Sequence, residues 1–215
     1  MGEKKIVIVE DHPVFRMGMS ELINQEADLD VCAWAEDVFD AWEKISLCSP
    51  DLVIVDITLK NSDGLDLVRK LKKSGKNIPV LVLSMHQETL FAERSVMAGA
   101  HGYIMKQEAP ALVVTAIRKV LAGKLYFSAS IMEKLLLTFS SSPADPNQNS
   151  PVDRLTSREF EVFKLLGQGM SSRKIADHLN LSIKTIGTYR ERIKEKLSIK
   201  DASELLMYAV TWANP

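Results

Sequence analysis

The sequence is poor in the features that would place it outside an ordinary reducing, aqueous compartment. It has only two cysteines, Cys32 and Cys48, with no CxxC pair and no histidine cluster. Buried free thiols are therefore expected rather than a disulfide framework or a thiolate metal centre. No apolar run approaches the ~18 residues of a membrane span. The first five residues, Met1 to Lys5, lead straight into strand-like sequence without a secretory signal, and Ile6 breaks the myristoylation pattern. A cytoplasmic protein without membrane attachment is the expectation. GxSxG, GxxxxGK[ST] and GxGxxG are all absent, which removes the usual cues for serine hydrolases, P-loop nucleotidases and dinucleotide enzymes.

What is present describes a folded chain. Of 215 residues, 46% are hydrophobic and 26% charged, enough apolar surface for two ordinary domains and too much for disorder. The net charge of −1 hides an asymmetry. Residues 151–215 carry 11 Lys+Arg against 8 Asp+Glu, a balance of +3, and residues 1–150 stand at −4. A basic tail domain is suited to an anionic partner.

The first part is organised around Leu52-Val53-Ile54-Val55-Asp56, an apolar run that ends in a carboxylate. Such a run reads as a parallel strand buried on both faces. Lys5 to Val9 repeats the design and ends in Glu10-Asp11. Ile78 to Ser84 and Gly102 to Lys106 supply two more strand ends, and Asp30 to Ala35 a fifth strand. Helical spacing falls between them, at 14–25, 38–47, 65–73, 89–97 and 110–121. Five alternating strands and helices predict a doubly wound α/β domain, with its chemistry at the C-terminal ends of the strands. Carboxylates crowded at one rim repel each other, and a hard divalent cation such as Mg²⁺ would relieve the repulsion. A lysine and a hydroxyl beside them suit a transferred phosphoryl group. Asp56, the most central acid, is the natural nucleophile. Singly, each residue has a blander reading: Asp56 and Ser84 as strand caps, Lys106 as a solvated charge, Tyr103 as packing. The joint placement outweighs them.

These positions resemble the receiver domain of a two-component response regulator. The resemblance implies Glu10, Asp11, Asp56 and the backbone carbonyl of Thr58 as Mg²⁺ ligands, and Asp56 as phosphoacceptor. It implies Ser84, Tyr103 and Lys106 as the groups that bind the phosphoryl or switch with it. Thr58 and His86 fall where the family tunes dephosphorylation. Lys60 and Gln107 stand where prolines are frequent. Haloacid-dehalogenase-like phosphatases also place a nucleophilic Asp after a strand, but they need a second Asp two residues on, and here that residue is Thr58. A phosphorylation-independent regulator, using the first domain for dimerisation, is the remaining alternative.

After a helical stretch at 128–139, residues 140–151 are polar, with three prolines, and read as a tether. Four short helices follow. The turn at Asn180-Leu181 and the basic helix after it suggest helix-turn-helix. At 100° per residue, Ile186, Arg190, Ile193 and Leu197 share the inner face of that helix. Lys184, Thr188 and Glu191 point outward toward base edges, and Thr185, Tyr189, Arg192, Lys196 and Arg173 lie where phosphates would pass. Leu155-Thr-Ser-Arg-Glu, Gly169-Met-Ser, Ile175-Ala-Asp-His-Leu and Ser182-Ile-Lys-Thr-Ile resemble a LuxR-type DNA-binding domain. The chain as a whole is similar to the NarL/FixJ family. Gly187, Tyr189 and Glu191 depart from residues frequent in that family. The implied division is a receiver at 1–124, a linker at 125–152 and the DNA-binding domain at 153–215. The implied partners are a sensor histidine kinase, double-stranded DNA and a second copy of the chain through Leu205, Leu206 and Ala209.

Overall fold

The computed structural model describes residues 2–60, 62–85, 88–108, 110–133 and 151–213, and the chain divides into two compact units. In the first, strands and helices alternate: β1 (Lys4–Val9), α1 (Pro13–Asn24), β2 (Leu29–Ala35), α2 (Val38–Cys48), β3 (Leu52–Asp56), α3 (Gly64–Lys73), β4 (Val80–Ser84), α4 (Glu88–Ala98), β5 (Gly102–Met105) and α5 (Pro110–Leu121). The strands form one parallel sheet in the order β2-β1-β3-β4-β5. Ile6 to Val9, Leu52 to Val55 and Val80 to Leu83 are all essentially inaccessible, as strands covered by helices on both faces must be. β4 starts later than expected because Pro79 has no N–H for the ladder and enters only through its carbonyl, which accepts from Val53 N at 3.0 Å.

Register brings the strand ends level. Val9 is opposite Val55, Asp56 opposite Leu83, and Ser84 opposite Met105. The residues just past the ladder therefore crowd one rim, where an open α/β sheet leaves its crevice. The last segment tied to this unit lies beyond the expected boundary at 124. Tyr126 exchanges backbone hydrogen bonds with Tyr103 and His101 at 2.8 and 2.9 Å, and Ile131 is buried. Residues 129–133 are helical. The remainder of the expected helix to Phe139 and the expected tether, apart from Pro151, lie outside the described residues, as does His86.

The second unit begins with a 3₁₀ turn at Pro151–Arg154, whose Val152 is buried, so its packing starts ahead of residue 153. Then come α6 (Ser157–Gly167), α7 (Ser172–Leu179), α8 (Ile183–Leu197) and α9 (Ala202–Ala213). Side chains cap all four, with Asp201 Oδ1 accepting from Ser203 N at 2.8 Å and Glu204 N at 2.9 Å at the start of α9. Thr156 and Glu159 form a reciprocal capping box on α6, Ser171 caps α7 and Ser182 caps α8. Phe163, Ile175, Ile186, Ile193, Leu205 and Ala209 form the core. Gly167 lets α6 and α9 touch: a Cβ there would meet the Ala209 carbonyl oxygen at 2.4 Å.

Candidate functional site

At the sheet rim, Lys106 Nζ lies 2.5 Å from Glu10 Oε2 and 2.8 Å from Asp56 Oδ2. The ammonium sits 4.7 Å from the centroid of the Phe15 ring. Four chain segments converge here because each is held by backbone. Glu10 N donates to the Ala35 carbonyl at 2.9 Å, and Lys106 N donates to the Ser84 carbonyl at 2.8 Å. The loop after β3 folds back through a Thr58–Asp63 bridge. Gly64 N then donates to the Ile57 carbonyl at 2.9 Å, which brings the start of α3 against Asp56.

The electrostatics follow from burial. Asp56 is 4% exposed. Loss of solvent pushes its carboxyl up from 3.8 to about 6; Lys106 pulls it down, Glu10 pushes it up, and the Thr58 amide pulls down again. The Thr58 N–H donates to Asp56 Oδ1 at 3.2 Å. For Lys106, burial acts against the charge, but Asp56 and Glu10 outweigh it and hold the ammonium above its usual range.

Glu10, Asp11, His12 and Asp56 each place a ligand atom within 4.8 Å of the others. Asp11 Oδ1 is buried and, among the described residues, accepts no hydrogen bond, its charged neighbour being His12 Nδ1 at 3.0 Å. A buried anionic oxygen among carboxylates fits a hard divalent cation, which takes oxygen donors and lowers their mutual repulsion. Glu10, Asp11, Asp56 and Lys106 are thus brought together as expected. Ser84 is fully buried on the neighbouring strand, and Tyr103 is buried within β5.

Three contributors escaped the sequence reading. Arg16 is buried; its Nη1 donates to the Glu10 carbonyl at 2.9 Å and its guanidinium lies 3.9 Å over the Trp34 ring. A Cβ on Gly64 would come within 1.9 Å of the Asp56 carbonyl oxygen, so only glycine fits. His12 turns its Nδ1 to within 3.0 Å of both Glu10 Oε1 and Asp11 Oδ1. Strand-end pattern marks the acids, but such supporting contacts have no periodic signature.

In the second unit, α8 buries Ile186 and Ile193 and exposes Lys184, Thr188, Glu191 and Arg192. Arg173 is exposed on α7, while Thr185 and Tyr189 are half-buried. Arg190 Nη1 donates to Ser172 Oγ at 2.6 Å and so ties α8 to the start of α7. Two expectations need correction. Lys196 does not point freely toward a backbone groove: its Nζ is 2.6 Å from Oε2 of Glu159, a carboxylate buried by the capping box. Leu205 and Ala209 are both 0% exposed within their own unit and cannot face a second copy. Leu206, Met207, Tyr208, Val210 and Trp212 are the exposed large apolar residues of α9. Glu191 is paired with Lys194 at 2.8 Å.

Comparison with known proteins matches these two units. Residues 6–118 fit the response regulator receiver domain, and residues 153–209 fit the luxR family of bacterial regulatory proteins. The chain is 35% identical over 206 residues to response regulator GacA of Pseudomonas aeruginosa, covering 96% of this chain and 95% of that one. It is 31% identical over 209 residues to oxygen regulatory protein NreC of Staphylococcus carnosus, covering 96% of each. The crystal structure of response regulator ChrA, from a heme-sensing two-component system, aligns with a TM-score of 0.52 at 27% identity, over 99% of this chain and 98% of that one. The likeness runs through both units and their order along the chain. The protein belongs to the two-component response regulators of the NarL/FixJ type, a receiver domain followed by a LuxR-type DNA-binding domain.

Proposed function

We propose that Asp56 is the phosphoacceptor of a cytoplasmic, phosphorylation-switched transcription factor. The convergence of Lys106 on Asp56 and Glu10, at 2.8 and 2.5 Å, carries the reading. An Asp56 oxygen attacks the phosphorus of a sensor kinase's phosphohistidine; the O–P bond forms as the P–N bond breaks, and the imidazole leaves. Glu10, Asp11, Asp56 and the Thr58 carbonyl would hold Mg²⁺, which supplies positive charge to the phosphoryl oxygens. Lys106, already on the acceptor carboxylate, exchanges part of its pairing for a phosphoryl oxygen. The Ser84 hydroxyl donates to another. Because Ser84 and Tyr103 are both buried, drawing Ser84 toward the new anion rearranges packing, and Tyr103 carries that change to the surface.

In the second unit, α8 enters a major groove with Lys184, Thr188 and Glu191 toward base edges. Thr185, Tyr189, Arg192 and Arg173 contact phosphates. Two copies meet on DNA through the exposed part of α9 around Leu206. Incubation with Mg²⁺ and a small acyl phosphate tests the first step: the intact protein gains the mass of one phosphoryl group, and Asp56→Asn gains none. An unchanged mass would instead favour a regulator that works without phosphorylation.

A further inference from the structure

His12 is placed as though to serve the cation site, and the inference drawn from it rests on that site as proposed above. The residue occupies the N-cap position of α1, yet its side chain makes no capping hydrogen bond. The ring turns the other way. Nδ1 stands 3.0 Å from Glu10 Oε1 and 3.0 Å from Asp11 Oδ1. Two donors bound side by side on an octahedral ion at about 2.1 Å stand roughly 3.0 Å apart. The imidazole nitrogen thus lies at ligand spacing from both members of the acidic pair. One of its neighbours is the buried Asp11 oxygen that accepts no hydrogen bond from the described residues.

Backbone constraints hold the ring there. The His12 N–H donates to Glu10 Oε1 at 3.0 Å, and the His12 carbonyl accepts from Arg16 N at 3.0 Å. Pro13 fixes the chain direction at the first turn of α1. The side chain is 70% exposed, so the ring borders the crevice and solvent rather than filling the core.

An imidazole nitrogen is a borderline donor. It adds little affinity for Mg²⁺, which prefers oxygen and water, and more for Mn²⁺, Co²⁺ and the later divalent ions. We infer that His12 is a direct ligand of the receiver's cation and shifts the site's preference from Mg²⁺ toward borderline transition ions. If the ring merely donates Nδ1–H to Glu10, it supports the carboxylate equally for every ion and sets no preference.

The test uses the full-length chain without an affinity tag, stripped of metal by a chelator. Mn²⁺ is titrated by its free-ion electron paramagnetic resonance signal, and Mg²⁺ by competition. Mn²⁺-loaded samples are then examined by electron spin echo modulation for directly bound ¹⁴N. The wild type should show that nitrogen coupling, and His12→Ala and His12→Asn should lose it. In both variants the Mn²⁺ Kd should rise about tenfold or more while the Mg²⁺ Kd moves by less than about threefold. Thermal melts confirm that the variants remain folded. If both ions bind the wild type without nitrogen coupling, and the Kd ratio is unchanged in the variants, His12 is not a ligand and the oxygen site stands without it. If neither ion binds the wild type, the underlying cation site fails as well. Asp11→Asn separates the cases, because it abolishes binding of both ions only when the acidic pair is the site.

Discussion

Gly64 lies so close to Asp56 that a methyl group on it would sit 1.9 Å from the Asp56 carbonyl oxygen. The first residue of α3 is thereby a floor for the acceptor strand. Gly64→Ala must push β3 and α3 apart, a clash of the overpacking kind that costs roughly 1–3 kcal/mol. The expected outcome is a lower denaturation midpoint together with slower phosphoryl uptake, because the displaced carbonyl belongs to Asp56 itself. Unchanged stability and uptake would mean that the loop gives way freely.

Asp56 makes the unphosphorylated receiver less stable at neutral pH. Its folded pKa, about 6, is above the ordinary 3.8. The native state therefore binds the proton more readily than the unfolded chain. Stability from this group is fully present below the ordinary value and is lost as pH rises through about 6. The loss is about 3 kcal/mol at most. Asp56→Asn removes the ionisation, and Glu10 still pairs Lys106. In urea melts without divalent metal, the variant's stability advantage should grow from pH 4 to pH 7. A gap that stays flat with pH contradicts the assignment.

His101 acts in the opposite direction. Its Nδ1 accepts from the Val80 N–H at 3.2 Å, which requires a neutral ring, and burial holds its pKa below the usual 6.5. Stability from this group is present above 6.5 and is lost as pH falls below it. His101→Asn keeps an acceptor for Val80 without titrating. Added to Asp56→Asn, it should make stability fall less between pH 7 and pH 5 than Asp56→Asn alone does.

Lys196 should behave as a structural residue. Removing its ammonium leaves buried Glu159 with the capping-box contact alone, and because Lys196 is partly exposed the cost is on the order of 1 kcal/mol. Lys196→Met should lower stability while leaving the salt dependence of DNA binding unchanged. Arg192→Ala and Arg173→Ala should do the reverse, each reducing the salt slope by about one.

Neighbouring leucines on α9 should also separate. Leu205 is fully buried and Leu206 is 43% exposed. Leu205→Ala should destabilise the unit by roughly 2–5 kcal/mol. Leu206→Glu should leave the melt nearly unchanged but weaken binding to a two-site duplex. Equal effects on folding would mean that Leu206 is only packing.

The readable parts of this protein are those with a period or a strand end. Apolar runs that stop at Glu10, Asp56 and Ser84 announce the sheet, and parallel pairing then brings the acids to one rim. The α8 wheel separates Ile186 and Ile193 from Lys184 and Thr188 correctly. Tertiary partners are not readable this way. Lys196 lies at the margin of the wheel, and only its fold neighbour Glu159, 37 residues away, decides where its charge goes. Leu205 and Leu206 differ by 100° of helix, and the packing of Gly167 against Ala209 decides which one is covered. Gly64 looks like a turn former until the Asp56 carbonyl is found beneath it.

Phosphoryl capture on Asp56 can be read chemically. Treating the acyl-phosphate-incubated protein with borohydride reduces an aspartyl phosphate to homoserine, and peptide mapping then locates it. Homoserine at position 56, dependent on Mg²⁺ and lost in Lys106→Ala, is the predicted result. Homoserine at Asp11 or another aspartate, 5-hydroxynorvaline at Glu10, or no reduced residue under conditions where the donor is consumed, would overturn this assignment.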